Sequence, residues 1–182
     1  MQHLCNDTAI NVAGLLKVQT GQVREFELAL DRFPLDDGLV AVDVVGEIRL
    51  TRLRDGIMAR VTAAGTVDLE CARCLRVYQQ PFDIAFSEEY RQTVDVHTGA
   101  GAGVEAEVAT DEDTARINDN HLLDIGEVLR QEILVALPMR PDCGERCPGP
   151  DLAAIRRSGD DEASVDGRLA ALARLLEERD GE

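Results

Sequence analysis

The sequence predicts an α+β fold: an antiparallel β-sheet or partly open barrel packed against one or two amphipathic helices, with a cysteine zinc knuckle joining distant segments. Three observations carry this expectation. Residues 24–87 alternate apolar and polar side chains with a period of two, residues 124–137 repeat their apolar positions at helical spacing, and "CARC" at 71–74 is answered by "CGERC" at 143–147. Strands followed by a helix, each with one apolar face to bury, point to segregated elements sharing a core.

Each element follows from its local pattern. "REFELAL" at 24–30 reads as a strand, after a short helical or irregular "INVAGLL" at 10–16. Residues 39–50 place Val40, Val42, Val44, Ile48 and Leu50 on one side and Asp43, Glu47 and Arg49 on the other, as a half-buried strand does. "RDG" at 54–56 is a turn signal, and from Ile57 the apolar parity restarts through Ala59, Val61, Ala63, Val67, Leu69 and Cys71; Gly65 within this run marks a bend or bulge. Tyr78, Phe82, Ile84 and Phe86 then alternate with Gln79, Asp83 and Ser87 until "SEEY", which puts the first cysteine pair at a reversal between two strands. Residues 92–112, rich in Gly, Ala and acid without periodicity, read as a flexible insertion, and "ARIN" at 115–118 as a short edge strand.

"DIGEVLRQEILVALP" opens with Asp124 as N-cap and Glu127 three residues later, a variant capping box. It carries Ile125, Val128, Leu129, Ile133 and Ala136 on one stripe and stops at Pro138. One α+β domain is therefore expected over residues 1–150, with the flexible insertion inside it. Residues 151–182 read as a linker and a C-terminal amphipathic helix, in which "VDGRLAALARLLEE" aligns Leu169, Leu172, Leu175 and Leu176.

Composition narrows the function. With 182 residues, 45% of them hydrophobic, the chain can bury a substantial core. Its start lacks the basic residues and apolar run of a signal peptide, and no stretch is long enough to span a bilayer, so a soluble cytoplasmic protein is expected. A net charge of -16 argues against a general nucleic-acid binder and suits a basic partner. One window is locally positive: Arg49, Arg52, Arg54, Arg60, Arg73 and Arg76 face only Asp55, Asp68 and Glu70. Arg49, Arg52, Arg73 and Arg76 are the candidate contacts to RNA or another partner, and the plain alternative is that such arginines only keep wet strand faces soluble. No phosphate loop or dinucleotide fingerprint occurs, and His3, His97 and His121 stand at no triad or ligand spacing. No catalytic residue can be picked out, and the expectation is a protein that is not an enzyme.

The thiols carry the sharpest chemical signal. C-x-x-C and C-x-x-x-C, each at a turn, match what zinc requires, because a short spacer lets two thiolates converge on one ion while a second loop completes a tetrahedron. Cys71, Cys74, Cys143 and Cys147 are thus the candidate ligands of one structural zinc, with Cys5, near a mobile end, left apart. Two readings stay open beside it. The cysteines are ordinary thiols or disulfides, or "CARC" is a redox pair, which would need a helix start to lower the pKa of its nucleophile.

Taken together, "INVAGLLKVQTGQVREFEL", the strand from Val44 to Arg52, "CARCL" followed by "FSEEY", and "LLDIGEVLRQEILVALPMRPDC" resemble the YceD family, the large ribosomal RNA subunit accumulation proteins of bacteria. The likeness runs from about residue 10 to 149, and "VDGRLAALARLL" is similar to the family's closing helix. The resemblance implies a non-enzymatic factor that supports 23S rRNA accumulation and large-subunit assembly, with a ribosomal protein or pre-ribosomal particle as partner. Many relatives continue with a further cysteine pair after the helix, whereas "CGERCPGPDLAAI" keeps only Cys143 and Cys147. Two functions are weighed: an acidic adaptor for a basic ribosomal protein, and a zinc-containing module that binds RNA itself. A thiol oxidoreductase is the third and weakest.

Overall fold

The structure, a computed structural model, describes residues 2–94 and 115–150. Its elements in chain order are β1 (Gln2–Cys5), β2 (Ala9–Asn11), α1 (Ala13–Leu16), β3 (Val23–Pro34), β4 (Val40–Arg52), β5 (Gly56–Glu70), β6 (Val77–Gln92), β7 (Arg116–Ile117), β8 (Leu122–Asp124) and α2 (Gly126–Ala136). Among the described residues strands dominate, and α1 and α2 are short.

Four long strands make an antiparallel meander, β3-β4-β5-β6, in a curled six-stranded sheet of order β1-β3-β4-β5-β6-β7. The outer strands β1 and β7 run parallel to their neighbours β3 and β6. They do not pair with each other, so the sheet is an open half-barrel. A two-stranded sheet, β2 with β8, forms separately, and α1 and α2 each follow one of its strands. The inward side chains of β3 to β6 join Leu15 and Leu16 of α1 and Leu129 and Ile133 of α2 in one buried cluster. The expected antiparallel, partly open sheet is present, and sheet outweighs helix more than the α+β expectation had it.

Several expectations need correction. In β4 the predicted parity fails at its start: Ala41 is buried, while Val40 and Val42 are only half-buried. The register shifts between Val42 and Val45, and Asp43 lies there with φ 53°. The extra residue of a bulge flips every later side chain to the other face, and aspartate tolerates the left-handed backbone this requires. The irregularity predicted at Gly65 therefore belongs to the facing strand. Gly65 itself stays in register opposite Phe82, where a Cβ would come within 2.9 Å of the Phe82 ring.

Strand β6 does not end at "SEEY" but runs on to Gln92, with Tyr90 and Gln92 buried. Residues 92–94 are thus ordered, and the remainder of the predicted insertion lies outside the described residues, as does the 151–182 segment. The N-terminus is not loose either, because β1 carries Cys5 opposite Ala29 of β3. "ARIN" supplies β7 at the sheet edge, as expected.

The start of α2 also differs. Its N-cap is Ile125, without a side-chain cap. Asp124 acts one residue earlier, accepting from the Gly126 amide at 2.8 Å and the Thr8 hydroxyl at 2.7 Å. Glu127 accepts from Arg130 and Gln131 instead of reaching back to the cap. The helix stops where expected, with Leu137 extended before Pro138.

Candidate metal centre

Strands β5 and β6 form a long ribbon whose reversal is "CARCLR". The pairing closes at Glu70 and Val77, the Cys71 amide donates to the Arg76 carbonyl, and the Leu75 amide donates to the Cys71 carbonyl. Leu75 holds φ 59° to complete this turn. Both cysteines thereby point to one side of a tight loop. The second pair lies just beyond α2, where "PDCGERC" turns on itself. Asp142 accepts from the Gly144 amide at 2.8 Å, Gly144 has φ 90°, and the Cys147 amide donates to the Gly144 carbonyl.

Polar ties fasten one loop to the other. The Ala72 amide donates to the Pro141 carbonyl, and the Asp142 amide donates to the Tyr78 hydroxyl at 3.0 Å. Arg73 extends its guanidinium across the gap, bonding Asp142 at 3.0 Å and the Gly144 carbonyl at 3.1 Å. Asp142, with Cys147 behind it, raises the Arg73 pKa above its ordinary value.

The four sulfurs of Cys71, Cys74, Cys143 and Cys147 all lie within 4.8 Å of one another. Cys71 and Cys147 are separated by 3.8 Å, and Cys74 and Cys143 by 3.7 Å. A disulfide would need about 2 Å, so these are four separate thiols. Four sulfurs bound tetrahedrally at about 2.3 Å from one ion stand about 3.8 Å apart. The spacing fits a closed four-thiolate metal site, and the predicted convergence of segments distant in sequence is present.

Electrostatics agree with that use. Backbone amides, of Arg73 first and then Cys143 and Cys74, are directed at the Cys71 sulfur and lower its pKa to about 6. Hydrogen bonding to Cys147 and burial push Cys143 up to about 12. One thiolate is favoured by the fold itself, while ionising all four so close together requires a cation between them. No helix starts at "CARC", since Cys71 follows the end of β5; the lowered Cys71 pKa, which a redox thiol would also need, comes from the loop amides instead.

The arginines proposed as contacts divide. Arg73 is already engaged between the two cysteine loops. Arg52 donates to the Gly56 carbonyl at 2.8 Å within the β4–β5 turn. Arg49, on the outer face of the sheet, lies 4.0 Å from Glu25 and directly opposite Arg60. Arg76 is exposed in the cysteine turn. Arg73 thus serves as a structural tie between the two cysteine loops. Sequence reading missed Asp142 and Tyr78 as parts of the centre. The Asp-Cys-Gly run was a turn signal that could have found the first; nothing local marks the second.

No curated protein and no solved structure matches the chain. The model of the family described as "Large ribosomal RNA subunit accumulation protein YceD" matches residues 59–176. That span includes the β5–β6 ribbon except the first three residues of β5, all of α2 and all four clustered cysteines, and leaves the likeness noted for residues 10–58 outside the match. Since the matched span exceeds half of the sequence and contains the whole cysteine centre, the chain belongs to the YceD family.

Proposed function

We propose that this protein is a non-enzymatic factor supporting 23S rRNA accumulation and large ribosomal subunit assembly, acting in the cytoplasm as an acidic adaptor for a basic ribosomal protein or pre-ribosomal particle. The observation that carries this reading is the family match across the ribbon and its cysteine centre. The net charge of -16 supports a basic partner over bare phosphate. Among the described residues no helix is long and apolar enough to cross a membrane. Zinc is the ion we assign to the four cysteines, which would hold it as a structural clamp. Four protein sulfurs fill its tetrahedral shell and leave no position for substrate.

The test has two parts. A strain lacking the gene should show a lower ratio of 23S to 16S rRNA, and an unchanged ratio would refute the role. Affinity capture of the tagged chain should retain a basic ribosomal protein after RNase treatment. A second reading, direct RNA binding at the cysteine turn, is favoured by the exposed Arg76 beside Cys74. Loss of all capture after RNase would support that reading over the adaptor.

A further inference from the structure

The β6 strand presents two different edges. The Gln92 amide donates inward to the Asp55 carbonyl before β5, and the Arg91 amide donates outward to the Ala115 carbonyl. In an antiparallel strand the amide and carbonyl of one residue point the same way and alternate along the chain. Asp83, Ala85, Ser87 and Glu89 share the parity of Arg91 and so direct their backbone groups away from β5. Among the described residues, β6 pairs on that side only through Arg91 and Gln92.

The other half of this edge is closed by its own chemistry. Pro81, of the same parity, has no amide to offer, and the Gln80 side chain donates to its carbonyl at 2.9 Å while accepting from the Tyr78 hydroxyl. A proline is a common way of blocking an edge. The blocking ends at residue 82. Among the described residues, the outward backbone groups of Asp83, Ala85, Ser87 and Glu89 pair with no strand and stand beside exposed side chains, and the segment from Asp83 to Glu89 carries Asp83, Glu88 and Glu89 with no basic residue.

Resting on the adaptor reading above, we propose that the Asp83–Glu89 edge of β6 is the docking site for the partner and takes an extended, lysine- or arginine-rich polypeptide segment as an added strand. Backbone pairing would supply affinity, and acidic side chains would select positive charge. A second copy of this chain fits less well, since it would bring Asp83, Glu88 and Glu89 against their own like charges.

The probe is a synthetic nonapeptide alternating lysine and valine, compared with the same peptide methylated at every backbone amide. With the full chain, the plain peptide should shift and protect the amides of Asp83, Ala85, Ser87 and Glu89. The methylated peptide keeps its charge but has no backbone N–H to donate and carries methyl groups that obstruct strand pairing, and should bind at least about tenfold more weakly. Ala85→Pro removes one outward amide while leaving the ladder to β5 intact, as Pro81 already does, and should abolish peptide binding. If that variant does not fold, the methylated peptide alone decides. Equal binding of both peptides would reduce the interaction to surface charge and overturn the proposal. So would amides at 83–89 already protected in the free chain, or a dimer that Ala85→Pro dissolves. Retained capture of a ribosomal protein by folded Ala85→Pro would overturn the edge as its site while leaving the adaptor reading in place; failure of the wild type to capture one would strike that reading alone.

Discussion

The two ends of the β5–β6 ribbon are held by different forces. At the end near Gly56, Ile57 and Tyr90 face each other across the ladder and are buried with Ile117, so side-chain packing fixes the strands. At the other end, Val77 and Leu75 are exposed, Leu69 and Cys71 are the last buried side chains, and four sulfurs with a few polar ties do the holding. The difference teaches that the fold and the cysteine centre are separable. An apolar core makes the sheet, and the centre clamps its far tip to the chain beyond α2.

The largest effect should come from the packed end. Ile57→Ala, at a fully buried position, should lower stability by about 2–5 kcal/mol in denaturant titration without releasing metal from the folded fraction. A value under about 1 kcal/mol would mean that packing does not hold this end. Gly46→Ala comes next. A Cβ there would lie 2.0 Å from the Thr62 carbonyl oxygen, so β4 and β5 must part, at a cost of about 1–3 kcal/mol.

Chelation, or Cys74→Ser, should then act locally. Amides of residues 71–77 and 138–147 should exchange faster, while those in the middle of β4 and β5 keep their protection. Global unfolding on metal loss would erase the contrast between the two ends, and elemental analysis finding no zinc would remove the clamp. Arg73→Ala should loosen the same two loops to a smaller extent, read as faster metal transfer to a chelator. The smallest change is expected for Leu75→Gly. Glycine suits φ 59° without a Cβ, so stability should stay within about 1 kcal/mol of wild type, in the stabilising direction.

Much of the sheet was legible in sequence because its side chains obey a strict period. From Ile57 to Leu69 each predicted inward residue is buried, and the convergence of the four cysteines followed from their spacing at turns. What stayed hidden depends on contacts that no local pattern encodes. The β4 bulge is set by pairing with β5, and an apolar run from Leu39 to Val42 offers no polar residue to reveal the flip. Strands of three residues, such as β2 and β8, are too short for a period and form only because each finds the other. At the start of α2 the capping-box pattern was present, yet Thr8 from the N-terminal segment engages Asp124 and shifts the first turn by one residue. For Arg73, sequence proximity to the other arginines gave no hint of its pairing with Asp142 across the two loops.

The separation of the two cysteine pairs along the chain also has a temporal side. Residues up to Gln92 supply the complete four-stranded meander, whereas Cys143 and Cys147 are added only after α2 has been made. At a synthesis rate of about 5–20 residues per second, Cys71 and Cys74 wait roughly 3–14 seconds for their partners. During that interval the nascent chain holds only two of the four thiols, enough to fill half of a tetrahedral ion's coordination shell. A metal held by all four cysteines would therefore be captured only after translation has passed residue 147.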